Sequence, residues 1–105
     1  MAPPSTFGRA ISEARRAKGW SQKELATRVL KEDGQPITPQ YLNDIERDRR
    51  NPSSEHMVQQ FAAVLGQSTD YLSWLVGKLP SSIRRENVRP EQVESAFQAF
   101  RKALE

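Results

Sequence analysis

Thr38-Pro39-Gln40-Tyr41-Leu42-Asn43-Asp44-Ile45-Glu46-Arg47-Asp48-Arg49-Arg50-Asn51-Pro52-Ser53 carries the decisive pattern of this chain. Its first half predicts a short helix. Thr38 is a good N-cap, and Pro39 falls at the first helical position, where its missing N–H and fixed φ cost nothing. Leu42 and Ile45, three residues apart, share the face that Ile37 leads into and should enter a core. Gln40, Asn43 and Asp44 are then left facing outward, with Tyr41 at the flank. Amides on an exposed helix can bond base edges in a major groove. Gln and Asn match the N6/N7 edge of adenine, and a proline ring can pack on a thymine methyl. Arg47, Arg49, Arg50 and Asn51 follow at once, at the spacing of a phosphate clamp. The same residues would also suit an ordinary amphipathic helix followed by a solvated basic turn. The segments before it decide between the two.

The whole chain narrows the choice of chemistry. Its 105 residues suffice for one domain with a modest core. A 36% hydrophobic content leaves little apolar area for a second one. The absence of cysteine excludes disulfides, zinc–thiolate sites and thiol catalysis. A formal charge of +3 leans mildly toward anionic partners, since 13 acids offset 16 bases. No apolar run approaches a membrane span, and Met1-Ala2-Pro3-Pro4-Ser5 lacks the regions of a signal peptide. The chain is expected to be cytoplasmic.

Ahead of the decisive stretch, residues 1–5 read as a disordered tail. Thr6 can cap a first helix whose inward stripe is Phe7, Ile11 and Ala14, with Gly19 as its left-handed stop. Trp20 precedes Ser21-Gln22-Lys23-Glu24, a capping box in which Ser21 and Glu24 satisfy each other's backbone donors. Trp20 and Leu25 form the accompanying hydrophobic staple, and the spacing of Leu25, Ala26, Val29 and Leu30 carries a second helix to Leu30. Beyond the third helix, Ser53 is the expected cap of a fourth containing Met57, Phe61, Ala62, Val64 and Leu65. Ser68 or Thr69 caps a fifth with Tyr71, Leu72, Leu75 and Val76. Five short helices without a strand pattern predict an all-α fold over 6–77. Residues 78–105 read as an extension, with Pro90 starting a last amphipathic helix over about 90–104. Its stripe of Val93, Phe97, Phe100 and Leu104 must be buried against something.

Taken together, Phe7-Gly8-Arg9, Ile11, Ala14-Arg15 and Lys18-Gly19-Trp20-Ser21-Gln22, with Glu24-Leu25-Ala26, resemble the first two helices of lambda-repressor-like (XRE or Cro-type) helix-turn-helix regulators. Ile37-Thr38, Tyr41-Leu42 and Ile45-Glu46-Arg47, with Arg49-Arg50-Asn51-Pro52-Ser53, resemble helix three and its following loop. The likeness covers about residues 6–76. It implies a five-helix DNA-binding domain whose third helix enters the major groove. It also implies that Gln22 bonds a phosphate at the start of helix two and that Arg15 pairs with Glu46 across helices one and three. Two departures stand out. Residues 27–36 separate Ala26 from Ile37, where such proteins use a turn of about four residues; either helix two runs on or a loop projects. Ala14 stands where leucine is usual, and Trp20 is bulky enough to fill the space.

On this reading Gln40 and Asn43 lead base recognition, followed by Pro39 and Asp44. Ser21, Gln22, Thr38, Tyr41, Arg47, Arg49, Arg50 and Asn51 contact phosphates. Enzymatic chemistry has no foothold: His56 is the sole histidine, and no glycine-rich phosphate loop, calcium loop or nucleophile with partners is present, so neither a metal nor a cofactor is expected. The expected function is a transcriptional regulator, a repressor acting as a homodimer on a palindromic operator. Val93, Phe97, Phe100 and Leu104 would form the dimer interface. The alternatives for this helix are docking on its own domain or receiving another protein, as in an antitoxin or adaptor of the same fold. A structural nucleic-acid binder with no operator is a further class.

Overall fold

Thr6, Ser21, Thr38, Ser54 and Ser68 each accept a hydrogen bond from the backbone N–H three residues ahead, and five helices begin there. Each such cap contributes about 1 kcal/mol by satisfying a donor that the helix cannot. In the computed structural model, which describes residues 3–4 and 6–105, these are α1 (Phe7–Ala17), α2 (Gln22–Ala26), α3 (Pro39–Glu46), α4 (Glu55–Leu65) and α5 (Thr69–Val76). A sixth, α6 (Pro90–Leu104), follows a linker. The described residues hold no strand beyond an isolated bridge between Leu30 and Pro36, so the fold is all-α as expected. Of the predicted tail, Met1, Ala2 and Ser5 lie outside the described residues; the Pro4 carbonyl accepts the Tyr71 hydroxyl at 3.0 Å.

The inward stripes meet in one core. Ile11, Leu25, Val29, Leu42, Ile45, Met57, Phe61 and Leu72 are wholly enclosed, and Phe7 meets Phe61 edge to face at 5.7 Å. Each such side chain contributes about 1.5–3 kcal/mol by leaving water. α1 packs on α3, α4 and α5, while α2 packs on α3. Trp20 and the small Ala14 both lie against this core, with the Arg28 guanidinium 4.5 Å and the Lys18 ammonium 5.3 Å from the Trp20 ring.

Two expectations are corrected. The cap of α4 is Ser54 and not Ser53, whose N–H is instead donated to the Tyr41 hydroxyl. Helix two does not reach Leu30. It ends at Ala26, where the Thr27 hydroxyl turns back onto the Glu24 carbonyl at 2.8 Å. Val29 still enters the core, but its carbonyl accepts the Ile37 N–H at 3.0 Å rather than continuing a helix. Helical spacing of apolar residues was thus met by a turn and a bridge.

The loop so formed is stapled to α4. The Leu30 N–H donates to the Gln60 Oε1 at 3.0 Å, and its carbonyl lies 2.9 Å from His56 Nε2. Glu32 accepts the Ser54 hydroxyl at 2.9 Å, which turns its charge toward α4. The linker behind α5 is tied to the same helix. Glu55 accepts the Ser81 N–H at 2.9 Å, and this bond, with Arg84 nearby, holds its carboxyl below the ordinary glutamate range.

Candidate nucleic-acid interface

α3 sits on the rest of the domain through Leu42 and Ile45, both fully buried. Gln40 therefore stands in solvent on the opposite side, with Asn43 and Asp44 half-buried at its flanks. Pro39 and Thr38 are exposed at the leading end, and the Thr38 hydroxyl is engaged by the Tyr41 N–H. Lys31, Thr38, Tyr41 and Ser53 line a shallow cleft between the stapled loop and this end.

The outward polar groups form two short chains of hydrogen bonds. In one, the Gln40 amide donates to Asp44 Oδ1 at 3.1 Å, and Arg49 Nη1 approaches the same oxygen at 3.9 Å. In the other, Asn43 Oδ1 accepts from Gln22 Nε2 and from Arg47 Nε, each at 3.2 Å. Gln22 Nε2 also donates to Glu46 Oε1 at 3.1 Å. The Gln22 amide donors are thus spent inside the protein. Among the described residues, the Gln40 carbonyl and the Asn43 NH2 have no such bond and are available to a ligand. The side chains reach solvent in set rotamers, which lowers the entropy lost on binding.

Arg47, Arg49, Arg50 and Asn51 are all exposed on the loop that follows. Each arginine touches α3 by one edge: Arg47 on Asn43, Arg49 on Asp44, and Arg50 over the Tyr41 ring at 5.1 Å. A guanidinium carries five N–H donors, so most of them still point away for phosphate oxygens. Tyr41 packs against this loop, its hydroxyl accepting from Ser53. Ser21 keeps its capping bonds with Glu24 at 3.0 and 3.2 Å.

Beneath this surface lies the Arg15–Glu46 pair. Arg15 Nε and Nη2 donate to the two Glu46 oxygens at 2.7 and 2.9 Å, and Nη1 donates to the Trp20 carbonyl at 2.8 Å. The side chains are 11% and 5% exposed. Hydrogen bonding to Glu46 raises the Arg15 pKa, against the opposing effect of burial. α3 is in this way bolted to α1 and α2 by one carboxylate.

Two residues that sequence reasoning passed over complete the support. Asp48, in the left-handed region at φ +58, points its carboxylate back at α1 and accepts from the Thr6 hydroxyl at 2.9 Å and the Gly8 N–H at 3.1 Å. Its charge thus serves the positive end of α1 and is withdrawn from the arginine face. Gly8 lets the two elements meet. A Cβ there would fall 2.5 Å from Asp48 Oδ1 and 2.8 Å from the Glu46 carbonyl oxygen. An aspartate before two arginines looks like part of a charged run, and only its left-handed backbone reveals the cap.

The C-terminal stripe is separate from this surface. Val93, Phe97, Phe100 and Leu104 are 39–63% exposed on α6, which has no buried residue. Phe100 touches α5 through Trp74, with ring centroids 5.6 Å apart. Among the described residues, no helix is long and apolar enough to cross a membrane.

Known proteins resemble this arrangement. A family model described as helix-turn-helix matches residues 11–72. Multiprotein-bridging factor 1 of Schizosaccharomyces pombe is 40% identical over 57 residues, 50% of this chain and 34% of that protein, so the chain spans about a third of its length. A chain from the solved SinR protein/SinI protein complex shares the fold with a TM-score of 0.55 and 24% identity. The match covers 93% of this chain and 99% of that one.

Proposed function

The chain belongs to the lambda-repressor-like helix-turn-helix family, and from that premise we propose that it is a DNA-binding transcriptional repressor that acts as a homodimer on a palindromic operator. The observation that carries this is the outward face of α3, where Gln40 and Asn43 stand beside three arginines already braced against the same helix. In the groove, Gln40 and Asn43 read bases, with Pro39 and Asp44 at the margins of the contact. Gln40 needs both ends of its amide for adenine and so gives up Asp44, which Arg49 then keeps neutralised. Ser21, Thr38, Tyr41, Arg47, Arg49, Arg50 and Asn51 set register on the phosphates. Gln22 joins them, and it and Arg47 exchange their bonds to Asn43 for phosphate oxygens, which together frees the Asn43 carbonyl for a base. Docking on the backbone and reading of bases are thereby linked through the two hydrogen bonds that Asn43 accepts. Two domains held by their α6 stripes would span half-sites about 34–36 Å apart.

Selection of bound fragments from a random duplex pool tests the proposal, which expects a two-fold symmetric consensus. On that consensus, Gln40→Ala should cost about 1–3 kcal/mol and on scrambled duplex almost nothing. Equal losses on both would take Gln40 out of base reading. Arg49→Ala should weaken both duplexes alike and lower the salt-dependence slope by about 1; an unchanged slope would remove it from the clamp.

A second reading, an adaptor whose C-terminal helix holds another protein, draws on the name of the bridging factor among its relatives and on the exposed stripe. It expects no sequence to be enriched from the pool.

A further inference from the structure

The flanks of the α6 stripe carry an ordered set of charges. Val93, Phe97, Phe100 and Leu104 alternate at four and three residues, the spacing of a two-helix seam. Glu94 and Arg101 both follow a stripe residue by one position and so border the seam on the same side; Ala96 and Ala103 border it on the other. Glu94 and Arg101 lie seven residues apart, about 10.5 Å along the axis, too far to pair with each other. Neither is in an ion pair among the described residues.

Given the dimeric reading above, on which this rests, we propose that two copies of α6 pair antiparallel, latched by Glu94 of each copy against Arg101 of the other. A two-fold axis perpendicular to both helices, passing between Phe97 and Phe100, sets Val93 against Leu104 of the second copy and Phe97 against its Phe100. The same operation brings each side of the seam onto its own kind. Glu94 then meets the other copy's Arg101 within about 3 Å along the axis, twice over. On the other side alanine faces alanine, which lets the backbones approach closely. A parallel pair would instead place Glu94 and Arg101 beside the alanines of the second helix, with no charge to meet. Antiparallel packing also opposes the helix dipoles favourably. The half-exposed Trp74 meets Phe100 at a tilt and extends the apolar patch at the centre of the seam.

Charge reversal in the full chain tests the latch by sedimentation equilibrium. Glu94→Arg and Arg101→Glu should each weaken self-association about tenfold, since each homodimer exchanges two exposed attractions for two repulsions. Mixing the two variants should restore association, because both ion pairs re-form in the heterodimer. The cysteine-free chain allows an independent check by oxidation. A mixture of Val93→Cys and Leu104→Cys chains should cross-link, while Leu104→Cys alone should not. Self-cross-linking of Leu104→Cys, with charge reversals that change nothing, would overturn the antiparallel latch and leave the dimer standing. A wild-type chain that stays monomeric at every concentration, with no cross-link in any mixture, would overturn both.

Discussion

Gly8→Ala is expected to lower the stability of the domain by about 3 kcal/mol, a drop in melting temperature on the order of 15 °C for a core of this size. Local preference works the other way. Alanine in a helix is favoured over glycine by up to ~1 kcal/mol, and Gly8 sits in α1 with ordinary helical geometry. No backbone strain therefore enters, and the sign of the effect isolates the packing. The added Cβ would overlap the carbonyl oxygens of Ile45 and Glu46, which are backbone at the end of α3, as well as Asp48 Oδ1. Backbone cannot swing aside as a flexible side chain can, so α1 and α3 must separate and draw Phe7, Ile11, Leu42 and Ile45 with them. Thermal unfolding followed by circular dichroism measures the loss. A variant as stable as the parent, or more so, would mean that helix propensity outweighs the contact and that the approach of the two helices is looser than described.

What could be read from the sequence, and what could not, divides along the range of the interactions involved. The caps at Thr6, Ser21 and Thr38 are local, each needing only a hydroxyl and the next turn, and they lie where the residue pattern puts them; of the two candidates at α5, Ser68 takes the cap. At α4 two serines compete, and Ser54 takes the cap while the Ser53 N–H turns to Tyr41. The outward stance of Gln40 follows from the inward stance of Leu42 and Ile45, again a matter of one helix. The segment from Thr27 to Pro36 depends on distant partners. Leu30 has helical spacing from Ala26, yet its backbone is claimed by Gln60 and His56, thirty and twenty-six residues on. No pattern within the loop encodes that. The same is true of Asp48 and Gly8, forty residues apart and in direct contact. The web that ties Gln22 to both Asn43 and Glu46 was likewise invisible, because each residue taken alone has a simpler use.

The other large effect is expected at the buried ion pair. Glu46→Ala should cost about 3–5 kcal/mol, because it leaves the Arg15 guanidinium enclosed without its carboxylate. Only the bond to the Trp20 carbonyl would remain for that charge. Replacing both partners by apolar side chains of similar volume, Arg15→Met with Glu46→Leu, should cost far less than either single truncation. A double-mutant cycle by urea unfolding measures the difference, and a strongly non-additive result is expected. The pair should bring no pH dependence through its arginine. A folded pKa held above the unfolded one stabilises at every pH below the unfolded value and is lost only as pH rises through the folded one, which here lies beyond the alkaline range used for proteins. Stability and DNA affinity should then come apart in the double variant. It keeps α3 seated by packing but removes the carboxylate that Gln22 donates to, so operator affinity should fall while the unfolding midpoint nearly recovers. A Glu46→Ala loss below about 1 kcal/mol would place the pair with exposed ones, and the seating of α3 would then rest on Leu42, Ile45 and the Asp48 cap alone.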